Sequence, residues 1–170
     1  SHALLTRIVS EQTASRVREI VKERTMNVPP DGYVALFNGE DLTGWQGIIA
    51  DGNPAKKRQM NHKEIAKAIS ESNELMRQHW SVQDGVLTFN GEGFHSIRTV
   101  EDYRNFEMMV DWKIEPGGDS GLYLRGVPQV QIWDAGENPV GSGGLYNNQN
   151  HPSEPVTEAD NLVGEWNTFR

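Results

Sequence analysis

Polar and aromatic side chains alternate with aliphatic ones along the stretch DSGLYLRGVPQVQIWD. Tyr123 and Arg125 alternate with leucines, and Gln131 and Trp133 alternate with valine and isoleucine. Because successive side chains of a strand point to opposite faces, the pattern predicts two strands around a Gly-Val-Pro turn, with the aliphatic residues toward a core. The other face then carries Tyr, Arg, Gln and Trp, where a solvated face usually carries Lys, Glu, Thr and Ser.

The clearest alternation in the chain is FEMMVDWKI, residues 106–114. It places Glu107, Met109, Asp111 and Lys113 on one face and five apolar side chains on the other. If this strand neighbours the other two in register, its carboxylates join their polar face. Aromatic rings stack on the C–H face of a pyranose, and Arg, Gln and carboxylates hydrogen-bond its hydroxyls. The combined face predicts a sugar site; the alternative is an outer face covered by loops or by a second domain.

A long segment, residues 135–163, is rich in Gly, Asn and Pro and follows neither a helical nor a strand period. It carries Asn147, Asn148 and His151, and long loops at the rim of a sheet often supply functional groups. The sequence contains no H-x-H, H-E-x-x-H or EF-hand spacing, so no motif predicts a metal site. Scattered carboxylates leave a divalent metal open as a cofactor.

Composition excludes several classes of function. The 24 acidic and 16 basic residues give a net charge of −8, and no Lys/Arg run has interleaved aromatics, so neither nucleic acid nor an anionic membrane is an expected partner. No apolar run approaches the roughly 18 residues of a membrane span. The absence of cysteine excludes a disulfide framework and a thiol nucleophile.

The elements that position these residues are predicted to be mostly short strands. Residues 1–30 form a helical arm and linker that ends in the breaker cluster NVPPDG, and residues 31–170 form the main domain. A helical insertion spans residues 54–79, where Asn61 and Glu64 have capping-box spacing. Further strands are predicted in YVALF, on both sides of a hairpin turn at Asp84-Gly85, and in HSIRT.

Short strands separated by regular turns favour an all-β fold of two packed antiparallel sheets. The last apolar run, VGEWNTFR, stops at Arg170 as though within a strand. We therefore expect C-terminal strands to be missing, with an exposed edge that an additional domain or chain would complete.

Six ordered motifs resemble one known family. FNGEDLTGW, HWSVQDGVLTF, DYRNFEMMVDWKI, GGDSGLYLRG, PQVQIWD and VGEWNTFR are similar to motifs of the bacterial 3-keto-disaccharide hydrolase domain, formerly a domain of unknown function. The resemblance covers roughly residues 31–170. It implies a concanavalin A-like β-sandwich (jelly roll), a 3-keto sugar as the small-molecule partner, and a periplasmic or secreted location.

The resemblance also implies a chemistry. Relatives act on glycosides oxidised at C3, as 3-keto-glycoside 1,2-lyases or 3-keto-2-hydroxy-glucal hydratases: a base removes the C2 proton, the C1 oxygen is expelled, and water adds back. Glu107 or His151 is the candidate base. Arg125 and Gln131 are the candidate enolate stabilisers, and Asp134 is a candidate metal ligand or acid partner if its strand ends there. The candidate substrate-binding residues are Asp111, Tyr123, Trp133, Asn147 and Asn148.

Three other interpretations stay open at this point. A lectin-like fold also hosts non-catalytic carbohydrate-binding modules. A glucanase of this fold needs two flanking carboxylates, and residues 106–114 offer Glu107 and Asp111 with Met109 between them. Finally, the chain could act only as part of a larger polypeptide.

Overall fold

The computed structural model describes residues 27–170, and the chain divides into two compact units, residues 1–101 and 102–170. Nine short strands and two α-helices make up most of the regular structure of the described residues, which confirms the all-β class. The strands form four small antiparallel sheets, and none of them closes. Most of the predicted helical arm, residues 1–26, lies outside the described residues.

The first unit combines four strands with the helical insertion. Strand β1 pairs with β4, and β2 pairs with β3, each pair antiparallel. No helix in the described part of the chain is both long and apolar enough to cross a membrane. The elements are β1 (Trp45–Gly47), a 3-10 turn (Ala50–Gly52), α1 (Pro54–Arg58), α2 (His62–His79), β2 (Trp80–Gln83), β3 (Val86–Phe89) and β4 (Ile97–Thr99).

The helical structure predicted over residues 54–79 is present as two helices, α1 and α2. Asn61 caps α2 by accepting from the backbone N–H of Glu64, whose carboxylate accepts from the N–H of Asn61 in return. The helix buries Met76 and lies tight on β1: the Ser72 hydroxyl donates to the carbonyl of Ile48 at 2.8 Å. A Cβ on Gly47 would lie 2.1 Å from that hydroxyl, so only glycine fits there.

The hairpin at Asp84-Gly85 is also confirmed. Both turn residues have positive φ, 50° and 74°, as a two-residue type I′ turn requires. By contrast, the predicted strand at residues 33–37 is wrong. Val34 is 80% exposed, and the chain turns at Asn38, whose side-chain oxygen accepts from the backbone N–H groups of Glu40 and Asp41. Tyr33, Leu36 and Phe37 are half-buried, but no strand among the described residues pairs with this segment.

The second unit contains five strands in two sheets. Strand β5 (Val110–Trp112) pairs with β9 (Asn167–Phe169), and β7 (Gln129–Trp133) lies between β6 (Asp119–Tyr123) and β8 (Leu145–Tyr146). The buried apolar residues of this unit are Trp112 and Ile132, and the Trp112 ring packs on Phe169 with the ring centres 5.2 Å apart.

Two strands of this unit are shorter than the sequence pattern predicts. The predicted strand 106–114 is regular only at residues 110–112, and Phe106 remains 42% exposed because no partner strand covers that end. Strand β6 ends at Tyr123. Arg125 has a φ of 59°, which breaks the alternation and takes its side chain out of register with Tyr123.

Candidate functional site

One face of the three-stranded sheet is polar and aromatic. In β6 and β7, Asp119 lies opposite Trp133, Gly121 opposite Gln131, and Tyr123 opposite Gln129. Directly opposite residues of an antiparallel pair share a face, so the predicted alternation of Tyr123, Gln131 and Trp133 is realised. Tyr146 of β8 joins this face opposite Gln129. We call this set the β7 polar face: Asp119, Tyr123, Gln129, Gln131, Trp133 and Tyr146.

A hydrogen-bonded chain of side chains crosses the β7 polar face. Gln131, only 3% exposed, donates from Nε2 to Oδ1 of Asp119 at 2.6 Å, and its Oε1 accepts from Nε2 of Gln129 at 2.8 Å. Because an ionised carboxylate only accepts, Asp119 fixes the orientation of the Gln131 amide, which in turn fixes that of Gln129. Gln131 therefore positions its two neighbours and does not itself point to solvent.

Gly121 makes room for this chain. A Cβ at Gly121 would lie 2.4 Å from Nε2 of Gln129, so a side chain there would displace the glutamine. Without one, Gln129 reaches across β6 and donates to the carbonyl of Ser120 at 3.4 Å. Gly121 thus leaves the space that the Gln129 side chain occupies on the β7 polar face.

A cleft of about 170 Å³ opens beside the aromatic residues of this face. The rings of Trp133 and Tyr146 meet edge to face, with their centres 6.1 Å apart. This cleft is smaller than the ~300–1,000 Å³ typical of pockets for drug-sized ligands. Its lining residues are Gln131, Trp133, Asn138, Val140, Gly141, Gly144, Tyr146, Ser153 and Glu154.

Asp134 directly follows Trp133, the last residue of β7. The strand therefore ends before Asp134, as its candidate role as a metal ligand or acid partner requires. Its side chain is 7% exposed and accepts from the backbone N–H of Gly117 at 2.8 Å and of Gly136 at 2.7 Å. These two bonds, with a smaller one from Glu137, hold the pKa of Asp134 below its ordinary value, although burial opposes them. The carboxylate therefore stays ionised and holds the turns at Gly117 and Gly136, and this does not favour a role as a proton donor.

The backbone of Trp133 is held by two residues that the sequence did not suggest. The Ser142 hydroxyl accepts from the N–H of Trp133 at 3.0 Å, and Asp160 accepts from the N–H of Ser142 at 2.7 Å. This support fixes the position of the tryptophan next to the cleft.

The predicted carboxylates Glu107 and Asp111 lie elsewhere in the unit. Strand β5 pairs with β9 and is not a hydrogen-bonded neighbour of β6 or β7 among the described residues, so the condition under which these carboxylates would join the polar face is not met. The turn at Glu115, closed by the N–H of Gly118, separates β5 from β6.

The outward side chains around β5 pair with those around β9. Arg170 donates to Glu107 at 2.6 Å, Thr168 donates to Asp111, and Lys113 lies 5.5 Å from the ring centre of Trp166. We call this set the β5 polar surface: Glu107, Asp111, Lys113, Trp166, Thr168 and Arg170.

The remaining candidates occupy loops. Arg125 is exposed beyond the end of β6, and His151 is exposed in the loop after β8. Asn147, which has a φ of 58°, follows Tyr146 directly and accepts from the side chain of Gln149. Asn148 is half-buried, and its N–H donates to the carbonyl of Leu145.

No group of three or more His, Asp or Glu side chains within residues 27–170 could hold a metal ion. We therefore derive no chemical step through the divalent metal that the sequence left open.

Sequence reasoning missed several residues of this site. Gln129 lies two positions before Gln131 in the same alternation, so the strand period was a signal for it. The cleft residues Asn138, Ser153 and Glu154 belong to the aperiodic segment, where no pattern reveals which side chains return to the sheet.

Comparison with known proteins identifies the family. Residues 32–170 match the family model described as the 3-keto-alpha-glucoside-1,2-lyase-like domain. The chain belongs to this family. Membership in the 3-keto-alpha-glucoside-1,2-lyase-like family confirms the resemblance carried by the six motifs, and its range includes both polar sets described above.

One curated relative is the 3-keto-disaccharide hydrolase of Bacteroides thetaiotaomicron, 24% identical over 173 aligned residues. The alignment covers 82% of this chain and 52% of the relative, so the chain spans about half of the relative's length. The relative's name is that of a hydrolase, which supports an enzymatic role at the level of the 3-keto-alpha-glucoside-1,2-lyase-like family. No solved structure matches the chain.

Proposed function

We propose that this protein cleaves the glycosidic bond of 3-keto-glycosides, and that the sugar binds on the β7 polar face. The observation that carries the proposal is the family match across residues 32–170, supported by a relative named for 3-keto-disaccharides. The β7 polar face supports the location, because it combines aromatic rings, a fixed carboxylate and a cleft.

The proposed reaction needs only acid–base chemistry. The C3 ketone acidifies the C2 hydrogen, and a base removes it to leave an enolate. As the enolate collapses to the ketone, a C1=C2 double bond forms and the C1–O bond breaks, with its electron pair going to the leaving oxygen, which is protonated. Water then adds across C1=C2, so that the net change is hydrolysis without an oxidant.

Specific residues support binding and enolate stabilisation. The rings of Trp133 and Tyr146 offer apolar surface for a pyranose, and Asp119 is a hydroxyl acceptor held in place by Gln131. Asn138 lines the cleft and accepts from the N–H of Val140 through Oδ1, so its NH₂ group is the end that can donate to an enolate oxygen.

Two broader proposals follow from family membership. The small antiparallel sheets would belong to a concanavalin A-like sandwich of jelly-roll type, with the β7 polar face as its ligand-binding side. The protein would act in the periplasm or as a secreted protein, where a 3-keto sugar is its small-molecule partner.

The test is release of the aglycone from a chromogenic 3-keto-glucoside and from its unoxidised parent. We expect release from the keto compound only, slowed when deuterium replaces hydrogen at C2, because proton removal precedes bond cleavage. Equal release from both compounds would overturn the proposal in favour of ordinary glycoside hydrolysis.

A second candidate function is carbohydrate binding without turnover. Both ends of the Gln131 amide are already hydrogen-bonded, and the ionised Asp134 accepts from the backbone of two turns. Neither residue is arranged to move a proton, which favours this alternative. Sugar binding without release from either compound would support this alternative.

A further inference from the structure

We propose that Glu154 is the base that removes the C2 proton; this inference rests on the proposed function and assigns its central step. Of the residues that line the cleft, Glu154 is the one with a carboxylate side chain. Carboxylates serve as general bases when they lie within hydrogen-bond reach of the proton that they remove. Trp133 and Tyr146, on which the sugar would lie, line the same cleft.

The backbone around Glu154 is fixed against the sheet. A Cβ at Gly144 would lie 2.4 Å from the carbonyl oxygen of Ser153 and 3.5 Å from Cα of Glu154, so the loop rests directly on this glycine. The carbonyl of Gly144 accepts from the N–H of Gln131 at 2.9 Å, which joins the same point to the centre of β7. Only glycine at position 144 permits this close approach.

Three other carboxylates of the unit already accept hydrogen bonds. Asp119 accepts from the amide of Gln131, and Asp134 accepts from two backbone N–H groups. Glu107 accepts from Arg170 at 2.6 Å on the β5 polar surface, outside the lining of the cleft. These hydrogen bonds occupy the three carboxylates, whereas Glu154 belongs to the lining of the cleft and is better placed to remove a proton from a sugar there.

The step balances with groups already named. The Glu154 carboxylate takes the C2 proton as the electron pair of the C–H bond moves into the enolate, whose oxygen accepts from the NH₂ group of Asn138. When the C1–O bond breaks, the leaving oxygen takes a proton from water. Glu154 then returns its proton to the hydroxide that remains.

The experiment compares Glu154→Gln with Glu158→Gln in the full chain, using the chromogenic 3-keto-glucoside. Glu158 is exposed on the same loop segment and does not line the cleft, so it is a matched control. We expect E154Q to lower kcat by about 10²–10³-fold with KM changed by no more than about threefold, and to abolish exchange of the C2 hydrogen in D₂O. E158Q should change kcat by less than about twofold.

Two readouts separate a catalytic role from a structural one. E154Q should retain the thermal melting profile and bind 3-keto-glucose, and the rise of rate on the acidic side of the pH profile should disappear. Wild-type rates in E154Q, with loss of activity in Glu107→Gln or His151→Asn, would overturn the assignment and leave the proposed function intact. Absence of release by the unaltered protein would overturn both.

Discussion

The β5 polar surface and the β7 polar face contain the same kinds of residue in different arrangements. On the β5 polar surface, Glu107 and Arg170 satisfy each other while their side chains remain 53% and 66% exposed. On the β7 polar face, the amide of Gln131 is buried, fixes the orientation of Asp119, and adjoins a cleft. Exposed ion pairs contribute little to stability, whereas hydrogen bonds to a buried amide hold the neighbouring side chains in one arrangement.

The difference shows that residue type alone does not mark a site. Glu107 was a candidate base and Asp111 a candidate substrate-binding residue, and their contacts are cross-strand pairs of the kind that any antiparallel ribbon can make. Gln129 and Glu154 were not candidates, although one joins the buried chain and the other lines the cleft.

The largest effect that separates the two regions should come from Gln131→Leu. Removing the amide breaks its hydrogen bonds to the exposed Asp119 and the half-buried Gln129, which together should cost about 1–3 kcal/mol of the free energy of unfolding. Gln83→Leu, on an exposed position of β2, should cost no more than about 0.5 kcal/mol. Chemical denaturation measures both; equal costs would contradict the role of the buried chain.

A somewhat smaller effect is expected from Trp133→Ala on catalysis. Loss of the ring should weaken sugar binding by about 1–2 kcal/mol, roughly a five- to thirtyfold fall in kcat/KM. Trp166→Ala removes the tryptophan of the β5 polar surface and is the matched control, with little change expected. A larger loss of kcat/KM in Trp166→Ala than in Trp133→Ala would indicate that the sugar binds on the β5 polar surface, which would contradict this account.

Asp134→Asn should change the dependence of stability on pH. The folded-state pKa of Asp134 is lowered, so its contribution is present above its ordinary pKa of 3.8 and is lost as pH falls through the lower folded-state value. The variant should melt at lower temperature than wild type at neutral pH, and the difference should vanish in strong acid. Asp111→Asn is the control, because Asn can still accept from Thr168. A difference that persists in acid would contradict the assignment.

The smallest effect should come from Arg170→Gln. Its pair with Glu107 is exposed, so loss of the pair should change the free energy of unfolding by about 0.5 kcal/mol or less, and added salt should remove the difference. Denaturation at low and high salt measures it. A loss of activity beyond about twofold would indicate that the β5 polar surface takes part in the reaction.

Local signals in the sequence predicted their elements well. The Asn61 and Glu64 spacing forms the capping box of α2, Asp84-Gly85 forms the hairpin turn, and the alternation around Gln131 gives the β7 polar face. Each of these depends on residues a few positions apart, where periodicity and turn chemistry act directly.

Features that depend on distant parts of the chain could not be predicted. Residues 33–37 are apolar like a strand but find no partner strand among the described residues, and β5 pairs with β9, which lies more than fifty residues away. The approach of Glu154 to Gly144 depends on a loop without period. The alternation of a strand predicts which face of the sheet a side chain lies on, but it does not predict which other segment of the chain packs on that face.

The most direct test of the central claim is to map 3-keto-glucose onto the protein by backbone amide chemical shifts in an NMR titration. We expect the shifts to concentrate in residues 119–123, 129–133 and 144–154, which form the β7 polar face and its cleft. Shifts concentrated in residues 107–113 and 166–170 would place the sugar on the β5 polar surface and contradict the account.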